Sequence, residues 1–122
     1  MGDLSTIMEW TFVQETETPP EVTEILIEGE EVKAAYKTIR DVAVITNKRI
    51  IIADKQGISG KKVEVYTIPF KSIVMYSSEN AYGLLDFNAE IEIWTRAGKF
   101  KLNLNKDIDI RKLDKLIGMY IL

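Results

Sequence analysis

Polar and apolar positions alternate most cleanly near the C-terminus. Over Lys99–Leu104, Phe100, Leu102 and Leu104 fall on one side and Lys99, Lys101 and Asn103 on the other. In Ala89–Thr95, Ile91 and Ile93 match the apolar side, and Glu90 and Glu92 the polar side. A period of two is that of a half-buried strand. With Arg96-Ala97-Gly98 as the turn, the two runs predict a hairpin whose glutamates oppose lysines. After Leu104 the period changes. Ile110, Leu113, Leu116, Ile117, Tyr120 and Ile121 make a helical stripe, with Asp107 or Asp109 as its N-cap and Asp107–Arg111 as an (i, i+4) pair.

The middle of the chain is organised around Asp41–Gln56, DVAVITNKRIIIADKQ. Val42–Thr46 and Arg49–Ala53 are rich in β-branched residues, which suit a pleated surface, and Asn47-Lys48 supplies the reversal. Ile50, Ile51 and Ile52 are consecutive, so this strand is either covered on both faces or keeps an apolar back for a partner. Val32–Ile39 precedes the hairpin as another strand. Gly57–Gly60 is turn chemistry, Lys62–Ile68 returns as a strand ended by Pro69, and Lys71–Ser77 is the next. Asn80–Asn88 reads as a loop. Upstream, Pro20 opens a helix through Val22, Ile25 and Leu26 that stops near Gly29. The first segment is ambiguous: Leu4, Ile7, Met8, Thr11 and Phe12 have helical spacing after a cap at Asp3 or Ser5, while Trp10–Val13 also reads as extended. The sum is a mostly β domain of seven antiparallel strands and a C-terminal α-helix, a curved sheet or barrel plugged by the helix. Residues 1–19 are expected as an acidic arm and 20–122 as the domain.

Composition narrows the chemistry. At 122 residues the chain suits one domain. It has neither Cys nor His, so thiol chemistry, the common zinc sites and Ser-His-Asp or Cys-His constellations cannot be built from its own residues. No apolar run is long enough to span a bilayer, and the cytoplasm is the expected compartment. The net charge of −3 conceals a polarity: through Val32 there are nine acids and no base, while the remainder carries all 16 Lys and Arg against ten acids. Such a chain can set its acidic end against its own basic body or against that of a second copy.

Context decides among the readings of each candidate site. Gly57-Ile58-Ser59-Gly60-Lys61-Lys62 has the wrong glycine spacing for a phosphate-binding loop and lies between strands, so a hairpin turn is the better reading. Glu90 and Glu92 resemble a hydrolase pair, but Lys99 and Lys101 would keep both ionised, and a surface ladder fits better. Trp94 falls by alternation on the polar face of its strand. A large aromatic there is a candidate interface anchor unless a bulge turns it inward.

Several phrases, in this order of elements, resemble the bacterial pleckstrin-homology family, small stand-alone proteins of unknown function. They are Leu26–Glu31, Thr46–Arg49, Asp54–Glu64, Ile68–Ile73 and Ala89–Trp94, and the similarity runs from about Ile25 to Leu122. The resemblance implies a pleckstrin-homology-like fold, seven antiparallel strands as a barrel or two bent sheets capped by the helix, and ring-like homo-oligomers. Eukaryotic pleckstrin-homology domains often bind phosphoinositide headgroups near the first hairpin. The corresponding Lys37–Asp41 is short and carries an acid, so the candidate anion patch is Lys48, Arg49, Lys55, Lys61 and Lys62. The candidate interface is Trp94, Ile51, Glu30 and Glu31. The expected function is non-catalytic self-assembly as a scaffold or protein-interaction domain, with anionic headgroup binding as the rival. Neither cofactor, metal nor nucleic acid is expected, and a membrane is not the favoured partner.

Overall fold

The computed structural model describes residues 6–56, 62–80 and 89–122. Its strands are β1 (Thr6–Phe12), β2 (Gln14–Glu15), β3 (Val32–Lys37), β4 (Asp41–Thr46), β5 (Arg49–Gln56), β6 (Lys62–Pro69), β7 (Ile73–Asn80), β8 (Ala89–Thr95) and β9 (Lys99–Leu104). The helices are α1 (Pro20–Thr23) and α2 (Ile110–Ile121), with a 3-10 turn at Phe70–Ser72 ahead of β7. The strands form a four-stranded sheet, β1-β9-β8-β7, and a five-stranded sheet, β2-β3-β4-β5-β6. The fold is mostly β with a C-terminal helix, as the alternation predicts. The sheets are not closed into a barrel, and β3–β9 are the seven antiparallel strands expected.

Two additions correct the expected topology. The first segment is a strand, and β1 pairs parallel to β9, with Trp10 opposite Leu102 and Phe12 opposite Leu104. Met8, Trp10 and Phe12 alternate toward the core, and this period of two prevails over the helical spacing because β9 offers a backbone partner at the far end of the chain. The same segment then crosses to the other sheet, where Val13 N donates to Lys37 O at 2.7 Å and Thr16 N to Ala35 O at 2.9 Å. Residues expected as an appended acidic arm therefore contribute to both sheets, and Phe12 is fully enclosed.

α1 is also shorter than expected. It ends at Thr23 and passes into a tighter turn, Ile25 N donating to Val22 O at 3.1 Å, after which Ile25 O accepts from Arg49 Nη2 at 2.9 Å and Gly29 O from Asn47 Nδ2 at 3.1 Å. Gly29 closes this loop with φ of 80°, a backbone region open to glycine at little cost.

The inner faces of both sheets share one core, including Tyr36, Ile45, Ile50, Ile52, Ile91 and Leu102, which α2 covers with Leu113 and Ile117. Of the two expected caps, Asp109 is the one used, accepting from the backbone N–H groups of Arg111 at 3.0 Å and Lys112 at 3.2 Å. A second cluster lies on the outer face of the five-stranded sheet. There Val22 of α1 closes over Ala35, Val44, Ile51 and Ala53, with Leu26 and Val65 at its margin.

Candidate functional site

The isoleucine run of β5 divides between the two clusters, Ile50 and Ile52 facing the main core and Ile51 the outer one. Ile51 is 0% exposed. The apolar back has its cover within the same chain, from α1, so Ile51 is not a surface for a partner.

Glu30 and Arg49 were expected on different surfaces, and the structure joins them. Glu30 is 9% exposed, and its carboxylate accepts from Arg49 Nε at 2.9 Å, Arg49 Nη2 at 3.0 Å, Thr46 Oγ1 at 2.6 Å and the Ile27 N–H at 3.0 Å. These donors, the Arg49 hydrogen bond foremost, hold the Glu30 carboxyl down from 4.5 to about 2 against the opposing effect of burial. The Arg49 guanidinium also reaches Thr67 Oγ1 at 3.2 Å. Glu30 is thus an internal clamp across the base of the β4–β5 hairpin, and Arg49 is withdrawn from the anion patch. Sequence spacing could not show this pairing, which spans 19 positions.

Glu31 stays outside, its side chain 72% exposed and 3.9 Å from Lys33. Glu24 and Glu28 are exposed too, as are the nearby Ile25 and Ile27, the latter 58%. Of the remaining candidate lysines, Lys48 and Lys62 are exposed, while the side chain of Lys55 and all of Lys61 lie outside the described residues. So do the Gly57–Gly60 turn and the Ala81–Asn88 part of the expected loop.

Trp94 sits half-buried on the outer face of the four-stranded sheet, as alternation places it. Lys99 lies opposite it in register, with Nζ 5.6 Å from the ring centroid. The glutamate–lysine ladder is present with diagonal partners: Lys101 pairs with Glu90 at 2.9 Å and Lys99 with Glu92 at 3.5 Å. The hydrogen bond to Glu90 raises the Lys101 pKa, so the lysine stays charged.

Two features escaped the linear pattern. Asp41, Asp54 and Glu64 stand opposite one another across β4, β5 and β6. Burial, then the hydrogen bond and charge of Asp54, push Asp41 up from 3.8 to about 6. Glu64 in turn accepts from the Tyr66 hydroxyl. The second feature is β7, the last strand of its sheet among the described residues, beside a groove of about 370 Å³ lined by Tyr76, Arg111, Asp114, Lys115 and Gly118. Among the described residues no group of three or more acids is arranged to hold a metal ion, and no helix is long and apolar enough to cross a membrane.

The described surface thus carries charge and exposed apolar side chains. Comparison with known proteins agrees on the fold. The profile of the family described as "Bacterial PH domain" matches residues 3–121. Two uncharacterised proteins of Bacillus subtilis (strain 168) are similar in sequence. YjqA is 43% identical over 101 residues, covering 80% of each chain, and YozO is 33% identical over 97 residues, covering 80% of this chain and 83% of its own. Among solved structures, a protein with a pleckstrin-homology domain from Shewanella loihica PV-4 superimposes with a TM-score of 0.79 at 34% identity, covering 89% of this chain and 97% of that one. A pleckstrin-homology domain from Shewanella amazonensis SB2B gives 0.64 at 38% identity, covering 84% and 83%. With its two sheets, its capping helix and a match along nearly its whole length, this chain belongs to the bacterial pleckstrin-homology domain family.

Proposed function

We propose that the chain is a non-catalytic pleckstrin-homology-like module that assembles with copies of itself and serves as a scaffold or protein-interaction domain. The observation that carries this reading is the corner left outside when Glu30 turns inward. Glu24, Glu28 and Glu31 there are exposed and lie within a few positions of the exposed Ile25 and Ile27 along the chain. An apolar patch rimmed by one sign of charge fits a protein interface, and the rest of the chain bears the opposite sign in excess. An acidic corner on one copy meeting the basic body of the next is a heterologous contact, the kind that closes into a ring when the rotation between copies allows. Trp94, aromatic and partly open, adds an anchor of the type enriched at interfaces. The rival, anionic headgroup binding at the hairpin, has less support because Arg49 is closed over Glu30.

Multi-angle light scattering tests the reading. The expected result is a mass above that of one chain at low salt, falling as salt screens the contact, and falling likewise in Ile27→Ser/Glu28→Lys at low salt. A single-chain mass for the unaltered protein at low and high salt would remove it.

A further inference from the structure

A groove prefers one sign of ligand only where its own charges do not cancel. Those along α2 set Asp109 or Asp114 beside Arg111 and Lys115, and the cleft beside β1 sets Glu9 and Asp41 beside Arg40. A further groove, of about 290 Å³, is different. It lies between the end of β6 and the turn joining β8 to β9. Its lining includes Thr67, Ile68, Pro69, Phe100 and Arg96, and no acid among the described residues.

Local bonds hold the walls. Ser72 Oγ donates to Pro69 O at 2.7 Å. Thr95 Oγ1 donates to Gly98 O at 2.9 Å and accepts from the Ala97 and Gly98 N–H groups at 3.1 and 3.2 Å, which braces the turn carrying Arg96. Phe100 is stacked on Trp10, with ring centroids 6.1 Å apart. The Ser72 and Thr95 hydroxyls are thus engaged, whereas two other polar groups stay open to a ligand. Arg96 is exposed and has no ion pair among the described residues. Thr67 Oγ1 accepts from Arg49 Nη1 at 3.2 Å, which leaves its own O–H to donate. The charge of Arg49 is met by Glu30, so Arg96 supplies the uncompensated charge of the groove.

We propose that this groove binds a small carboxylic acid with an apolar body, an aryl- or alkyl-alkanoate. The carboxylate takes the Arg96 guanidinium, whose planar fork matches it, with the Thr67 hydroxyl as a second donor. The hydrocarbon covers Ile68, Pro69 and Phe100. One uncompensated cation suits a monoanion better than a phosphate dianion, and an apolar lining strips a bare inorganic anion of water without replacing its hydrogen bonds. The volume is at the small end of the range for ligand pockets, which limits the body to a short chain or one ring. This goes beyond self-assembly and does not rest on it, because one chain supplies all the groups invoked.

The test is titration of phenylbutyrate into the full chain, followed by backbone-amide NMR shifts. Saturable shifts are expected at residues 67–69 and 95–100. Phenylbutylamine, the same body with the opposite charge, should leave them unmoved. Arg96→Gln, a change on an exposed turn that leaves the core intact, should weaken phenylbutyrate by roughly tenfold or more. An equal response to both probes, indifference to Arg96→Gln, saturable shifts centred elsewhere, or none at millimolar probe each overturns the proposal. So do shifts at the same residues on concentrating the protein, with no response to phenylbutyrate, because they would assign the groove to a second copy.

Discussion

β4 begins at Asp41 and ends at Thr46, and a carboxylate is held at each end under opposite conditions. At the Thr46 end, Glu30 is nearly enclosed, yet its pKa falls to about 2 because four donors converge on it. At the other end Asp41 is less enclosed, yet its pKa rises to about 6. It faces a second carboxylate, Asp54, and its Oδ1 is shut from solvent with no hydrogen-bond partner among the described residues. Burial pushes both carboxyls up and is the foremost cause at Asp41, but at Glu30 the donors outweigh it. The supply of donors decides, since a buried charge is tolerated only as far as its lone pairs are satisfied. The Glu30 end is therefore built to stay shut, while the Asp41 end is poised to change with pH.

The strongest way to break this contrast is to remove the cation. Arg49→Met leaves Glu30 buried with its charge unpaired, and urea unfolding should show a loss of about 3–5 kcal/mol at neutral pH. A loss under about 1 kcal/mol would mean that the pair behaves as an exposed one. A milder change is Thr46→Val, which removes one donor to a charged acceptor and should cost about 2 kcal/mol by the same assay. Both losses should shrink in acid. The Glu30 pKa is lowered on folding, so its contribution is complete above the ordinary 4.5 and disappears as pH falls toward about 2.

The smallest expected effect is at the other end and has the opposite sign. The Asp41 pKa is raised on folding, so its contribution is complete below the ordinary 3.8 and is lost as pH rises toward about 6. Asp54→Asn removes the facing charge. It should return the Asp41 titration, followed by carboxyl NMR shifts, toward the ordinary range and flatten the stability decline between those pH values. At pH 7 the variant should be more stable by roughly 1 kcal/mol or less, since solvent screens a site this open. An unmoved Asp41 titration would show that desolvation alone sets it.

Legibility in the sequence followed the range of the interaction. The β8–β9 hairpin and α2 could be read because their periodicity repeats over several turns or pleats, and the cap of α2 lies next to the residues it caps. The two-sided character of Ile50–Ile52 was legible too, but not that Val22 would cover Ile51. β1 stayed open between helix and strand because its partner β9 lies at the other end of the chain and pairs in parallel, where no local turn announces it. At the candidate surfaces, alternation placed Trp94 correctly, because one strand's pleat decides its face. Glu30, Arg49 and Asp41 were opaque, because their states depend on which strands come to lie side by side.

By itself, then, the order of residues determined the elements, their apolar faces and a charge polarity between the first third and the body. These arise from periodicity and composition, which a chain carries whether folded or not. Only the tertiary structure decided that Glu30 closes on Arg49, that Asp41 meets Asp54 and that β7 ends its sheet among the described residues. Each of these is set by sheet order and register, and a sheet brings together residues whose separation along the chain carries no signal.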